Sequence, residues 1–161
     1  MSDSISTSSA PKPVGSYPHA RRVGELLFLS GVGPRVAGSG DGDSRVPGLE
    51  INENGEVVKF DFSAQVHAVF ANVKAILEAS DSSWHELVDI TVFLVNMERD
   101  FKTFNTIYAE YFPSSSENRP CRTTVEINCL PTPIAIELKC IATVKTQLGF
   151  PNLHICILRR I

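Results

Sequence analysis

A chain of 161 residues, 43% hydrophobic and 20% charged, has the mass and composition of one globular domain with a real core. Its formal net charge of −3 and pI near 5.8, with lysines and arginines scattered, leave no cationic stripe for tracking a phosphate backbone. No apolar run approaches the roughly 20 residues of a membrane span, and the cysteines and histidines show no metal-ligand spacing.

Residues 1–14 read as a disordered, serine-rich leader with no signal-peptide or transit-peptide pattern, which makes the cytoplasm the default compartment. Leu26–Ser30 is a buried-strand run, and Gly24-Glu25 before it marks a hairpin turn. Residues 35–48, rich in glycine, serine and aspartate, form a loop that serves either as a lid or as a surface insertion. Leu49–Glu53 and Glu56–Phe60 flank Asn54-Gly55, the preferred pair for a type I′ hairpin turn.

Ser63–Ala79 is the clearest helix, with Val66, Val69, Phe70, Val73, Ile76 and Leu77 along one face. His67 falls off that stripe and reads as a solvated residue. Ser83–Glu86 matches a capping box. The β-branched run Leu87–Val95 reads as a central strand. Arg99–Phe112 is a second amphipathic helix with Phe101, Phe104, Tyr108, Tyr111 and Phe112 inward and Asn105 beside that face.

Arg119–Val144 then holds two strand-like runs joined by a proline turn. Arg122, Thr124 and Glu126 share one face of the first, because strand side chains alternate with a period of two. In the second, Ile134, Ile136, Leu138, Cys140, Ala142 and Val144 share one face and Glu137 and Lys139 the other. The cysteines at strand positions read as reduced, buried thiols. Residues 147–161 look like an appendage to a domain spanning 15–146. The element order predicts an α+β fold with a mixed sheet and two helices on one sheet face.

Arg122 offers a planar fork of donors that holds a carboxylate bidentately. Glu137 acts as a general acid/base if burial raises its pKa toward neutrality. The same two residues also read as a cross-strand ion pair. No nucleophile elbow, phosphate loop or dinucleotide fingerprint is present.

These segments resemble the RidA/YjgF family of enamine/imine deaminases over about residues 15–146. The resemblance rests on Leu27–Gly31 (LFLSG), Ala64–Leu77, Val88–Met97, Phe101–Phe112, Pro120–Leu130 with Pro131, and Ile136–Ala142 (IELKCIA). Pro18-His19, Arg122–Val125, Phe93–Met97 and the long loop 33–60 are similar to the 2-aminomuconate deaminase group within it. The resemblance implies a chorismate-mutase-like fold, assembled as a homotrimer with pockets between subunits. It implies Arg122 as the carboxylate clamp and Glu137 as the residue that activates water. Tyr17, Ser30 and Asn105 match residues lining the pocket, and Thr124 stands where many members have cysteine.

The implied reaction is hydrolysis of a 2-amino enoate to a 2-oxo acid and ammonia, with 2-aminomuconate as the expected substrate and no cofactor or metal. Its second carboxylate calls for a further cation, for which His19, Arg35 and Arg45 are candidates. The alternatives are a broad-range deaminase of 2-iminopropanoate-type species and a non-catalytic binding trimer. A ribonuclease reading, also attached to the family, runs against the acidic pI.

Overall fold

In the structure, a computed structural model, residues 2–38 and 45–144 are described, and the expected appendage 147–161 lies outside them. Among the described residues, eight strands and two α-helices follow in order: β1 (Ser2–Ile5), β2 (Ala20–Val23), β3 (Leu26–Leu29), β4 (Leu49–Ile51), β5 (Val57–Phe60), α1 (Phe62–Glu78), β6 (Leu87–Leu94), α2 (Met97–Tyr111), β7 (Cys121–Glu126) and β8 (Ile136–Thr143). Six strands form one sheet in the order β1-β2-β3-β8-β6-β7, while β4 and β5 pair separately. Of these pairs only β6 and β7 run parallel, as a crossover through a helix requires.

Both helices lie on one sheet face, as the sequence predicts. Ile136, Leu138, Cys140 and Ala142 of β8 are fully buried there, with Leu27 of β3 and Ile90, Val92 and Leu94 of β6. The α1 stripe of Val66, Val69, Phe70, Val73, Ile76 and Leu77 closes the core. Asp61 caps α1 by accepting from the Ala64 N–H, and Asn96 caps α2 by accepting from the Arg99 N–H. Between the helices, Phe70 meets Tyr111 edge-on at 4.5 Å and Phe112 stacks on Trp84 at 5.0 Å.

Several expectations are corrected. The leader supplies an edge strand: Ser2–Ile5 pairs antiparallel with β2, and Ala10 is buried. Its serines carry no hydrophobic signal because the strand binds through its backbone. The Asn54-Gly55 turn is not type I′, which needs positive φ at both residues. Gly55 alone has it, at φ 81, and its N–H donates to the Asn52 carbonyl, giving a longer turn closed by a glycine in the left-handed region. Ser83 makes no side-chain cap, and Glu86 accepts instead from the Thr143 hydroxyl at 2.7 Å. Phe101 and Tyr111 remain exposed. Of the three cysteines among the described residues, only Cys140 is buried, and burial pushes its thiol up to about 12.

The largest correction concerns β7 and β8. They are not neighbours: β6 lies between them. Arg122 pairs in register with Ile90, whereas Glu137 pairs with Phe93. Ile90 and Phe93 are three residues apart on one strand, so their side chains, and those of Arg122 and Glu137, leave the sheet on opposite faces. Arg122 and Glu137 therefore form no ion pair within the chain. Residues 127–135 carry the chain over the end of β6, pinned where the Ile127 N–H meets the Leu94 carbonyl and the Ala135 N–H meets Gln65 Oε1.

Candidate active site

Glu137 leaves β8 on the face away from the helices and lines a hollow at the sheet's end with Tyr17, Ser30, Gly31, Arg35 and Ile76 of α1. The paired bonds between Val32 and Leu138, 2.8 and 2.9 Å, hold the end of β3 against β8. Gly31 then lies so close that a Cβ there would stand 2.4 Å from Glu137 Oε1. A Cβ there would have to push the Glu137 carboxyl aside, so the glycine matters here through close approach and not through φ. Half-burial pushes the Glu137 carboxyl above its ordinary value, by desolvation of the charged form. The Ser30 hydroxyl donates to the Pro18 carbonyl at 2.7 Å and keeps its lone pairs available.

The N-terminal segment walls this hollow through Pro11, Pro13 and Val14. His19, expected to meet substrate as a possible cation, lines the hollow and also latches this segment. It is buried, its Nδ1 accepts from the Thr7 N–H at 3.2 Å, and its Nε2 lies 3.0 Å from the Pro11 carbonyl. The neutral ring with its proton on Nε2 satisfies both contacts, and a charged ring cannot accept the first. Arg35 donates to the Lys12 carbonyl at 2.6 Å. Arg45 enters through its carbonyl, which accepts from the Val36 N–H and closes the neck of the loop. Asn72 holds that neck from α1, donating to the Gly33 and Arg35 carbonyls. The loop residues 39–44 lie outside the described set.

Arg122 belongs to a second hollow, on the helix side of the edge strand β7, lined also by Tyr108, Phe112, Arg119 and Pro120. Its guanidinium lies 4.5 Å from the Tyr108 ring centre and 5.5 Å from that of Phe104. Such stacking contributes about 0.5–2 kcal/mol and orients the fork while leaving its edge N–H groups for an anion. Thr124 shares this strand face, and its hydroxyl finds no hydrogen-bond partner among the described residues. Asn105 is half-buried on α2 and lines neither hollow.

Thus Tyr17, Ser30 and His19 gather around Glu137, while Arg122 and Thr124 stand on the other side of the sheet. Sequence reasoning alone does not mark Gly31, Tyr108 and Arg119 as site residues. Tyr108 is legible as an inward α2 residue, but its role as a shelf for Arg122 depends on β7 lying beside α2. Among the described residues, no group of three or more His, Cys, Asp or Glu side chains is arranged to hold a metal ion.

Comparisons with known proteins follow the same lines. A RutC family protein of Pyrococcus horikoshii is 37% identical over 142 residues, 88% of this chain and 98% of that protein. The chloroplastic Reactive Intermediate Deaminase A of Arabidopsis thaliana is 37% identical over 139 residues, 86% of this chain and 64% of that protein. Among solved structures, E. coli TdcF with bound serine superposes with a TM-score of 0.72 at 26% identity, covering 89% of this chain and 99% of that one. The sequence model of the family described as Endoribonuclease L-PSP matches residues 7–144. The chain therefore belongs to that family, the YjgF/RidA family.

Proposed function

We propose that this protein is a hydrolytic deaminase of 2-imino and 2-enamino acids with a broad substrate range, working as a homotrimer whose pockets form between subunits. The single observation that carries the reading is the division of the site. Arg122, which can clamp a carboxylate, and Glu137, which can serve as an acid/base, lie on opposite faces of one sheet. One small substrate meets both only if two copies of the chain contribute. The face bearing Glu137 also exposes Leu26 (41%), Phe28 (38%) and Val125 (36%), with no element among the described residues over them, the kind of apolar patch that marks an interface.

In the joined site, Arg122 holds the substrate carboxylate and sets its plane. Water held by the Glu137 carboxylate adds to the imine carbon, its proton passing to the glutamate. The glutamate returns that proton to the nitrogen, and the carbinolamine's hydroxyl proton follows it there as the C–N bond breaks, releasing ammonia and leaving the 2-oxo acid. Positioning and proton transfer supply the catalysis. The Arabidopsis relative's name speaks of reactive intermediates, and the related TdcF chain carries serine, a small amino acid. Both support the broad reading over 2-aminomuconate as a dedicated substrate. A nuclease reading has no support from the charge of −3.

The test is ammonia release by the purified protein from 2-iminopropanoate generated in situ and, separately, from 2-aminomuconate. Turnover of the small imine, lowered about 100-fold or more in Arg122→Ala, is the expected result. Turnover of 2-aminomuconate alone would restrict the activity to that acid, and no turnover of either would remove the deaminase assignment.

A further inference from the structure

The hollow around Arg122 contains a second guanidinium. Arg119 lines it together with Tyr108, Phe112, Pro113 and Pro120, and Glu117 supplies a single carboxylate. Two fixed positive charges therefore share the space with one negative charge. Pro120 is buried, and its ring restricts Arg119 to extended backbone, so the two arginines are presented from a stiff lead-in to β7. Burial raises the Tyr108 hydroxyl above its ordinary pKa, and Arg122 and Arg119 both oppose that shift. The two charges are thus felt at one point on the aromatic shelf. Arg122 lies against that shelf as a stacked cation, whereas Arg119 is exposed and has no ion pair or hydrogen bond among the described residues.

We infer that Arg119 is a specificity residue: it receives a second acidic group on the substrate, so that the protein prefers 2-imino acids whose side chain ends in a carboxylate. The inference rests on the deaminase reading above and names the substrate class for the same pocket. Arg122 takes the carboxylate next to the reacting carbon, and the flat wall of Tyr108 and Phe112 carries the intervening chain. Arg119 then meets the far end. Because Arg119 touches neither the imine carbon nor the water, it acts on substrate choice and not on the chemical step.

The experiment compares two imines of nearly equal size, generated in situ from glutamate and from glutamine by an amino acid oxidase, on the full-length protein. The expected wild-type preference for the acidic imine in kcat/KM is about five- to tenfold, the range for one partly exposed charge-assisted contact. Arg119→Ala should abolish that preference, mainly through KM, and leave the amide-derived imine within about twofold of wild type. Arg119→Lys should retain part of it. A ratio unchanged in Arg119→Ala, or an equal fall for both imines, overturns the inference. Calorimetric binding of the two product 2-oxo acids reads the same contact without turnover. Absent turnover with an Arg119-dependent preference in binding would sink the deaminase and keep the subsite, whereas equal binding of the two acids by wild type would sink the subsite.

Discussion

Glu137 is buried enough to be reluctant to ionise, yet the proposed chemistry needs its carboxylate. A carboxyl whose pKa is raised above the ordinary 4.5 by desolvation binds its proton more tightly in the native than in the unfolded chain. That contribution to stability is present at low pH and is lost as pH rises from the unfolded value through the raised folded one. Above that window the charged carboxylate works against the fold. Glu137→Gln keeps the shape, including the contact against Gly31, and removes the charge. It should therefore unfold at a higher temperature than wild type at pH 7–8, with the gap closing as pH falls below the folded pKa. It should also lose about 10²–10⁴ of the hydrolytic rate. Thermal melts across pH with ammonia-release assays measure both, and a variant less stable at pH 8 would mean the carboxylate is held by interactions and not merely buried. At this scale the sequence is partly legible. Glu137 and Lys139 in the run Ile136-Glu137-Leu138-Lys139-Cys140 are visible as the charged exceptions on an otherwise apolar strand. The close approach at Gly31 is not, since it comes from a carboxylate that folds in from a strand more than 100 residues on.

At the scale of elements, periodicity carries most of the reading. The α1 stripe and the two faces of β8 follow from one-dimensional spacing, because each element meets the core through one face. What fails depends on partners. The Asn54-Gly55 pair marks a turn, but Asn52 chooses its type: its Oδ1 accepts from the Asn54 and Glu56 N–H groups and its carbonyl from Gly55. Strand β1 is hidden for a related reason, as its pairing with β2 runs through backbone groups that any sequence carries. The segment after it is tied down through His19, whose ring bridges Thr7 and Pro11. His19→Ala should cost about 1–3 kcal/mol by leaving those backbone groups without partners, and it should speed amide exchange over residues 3–5 more than in β6. The same variant should raise KM through the loosened Pro11–Val14 wall. Exchange over residues 3–5 that matches wild type would show that β1 is held by its ladder alone.

At the scale of the whole molecule, the order of strands separates Arg122 from Glu137, and order is what a sequence states least directly. Arg122 and Glu137 look like neighbours across a proline turn. The chain instead passes over β6, since β6, α2 and β7 form a parallel crossover unit and β8 then pairs with the free edge of β6. The consequence is testable without knowing the substrate's name. In the cyclic trimer proposed above, each pocket would take its arginine from one subunit and its glutamate from the next. Arg122→Ala and Glu137→Gln should each be inactive alone, since every pocket lacks one group. When the two are unfolded together in equal amounts and refolded, a pocket is complete when the arginine side comes from the glutamate variant and the glutamate side from the arginine variant. Random assembly gives that combination in about one pocket in four, so roughly a quarter of wild-type ammonia release should return. Phe28→Asp, placed on the exposed apolar face, should prevent assembly, leave a folded monomer by circular dichroism and abolish the activity. A site contained within one chain would give no recovery on mixing, and its activity would survive Phe28→Asp in the monomer.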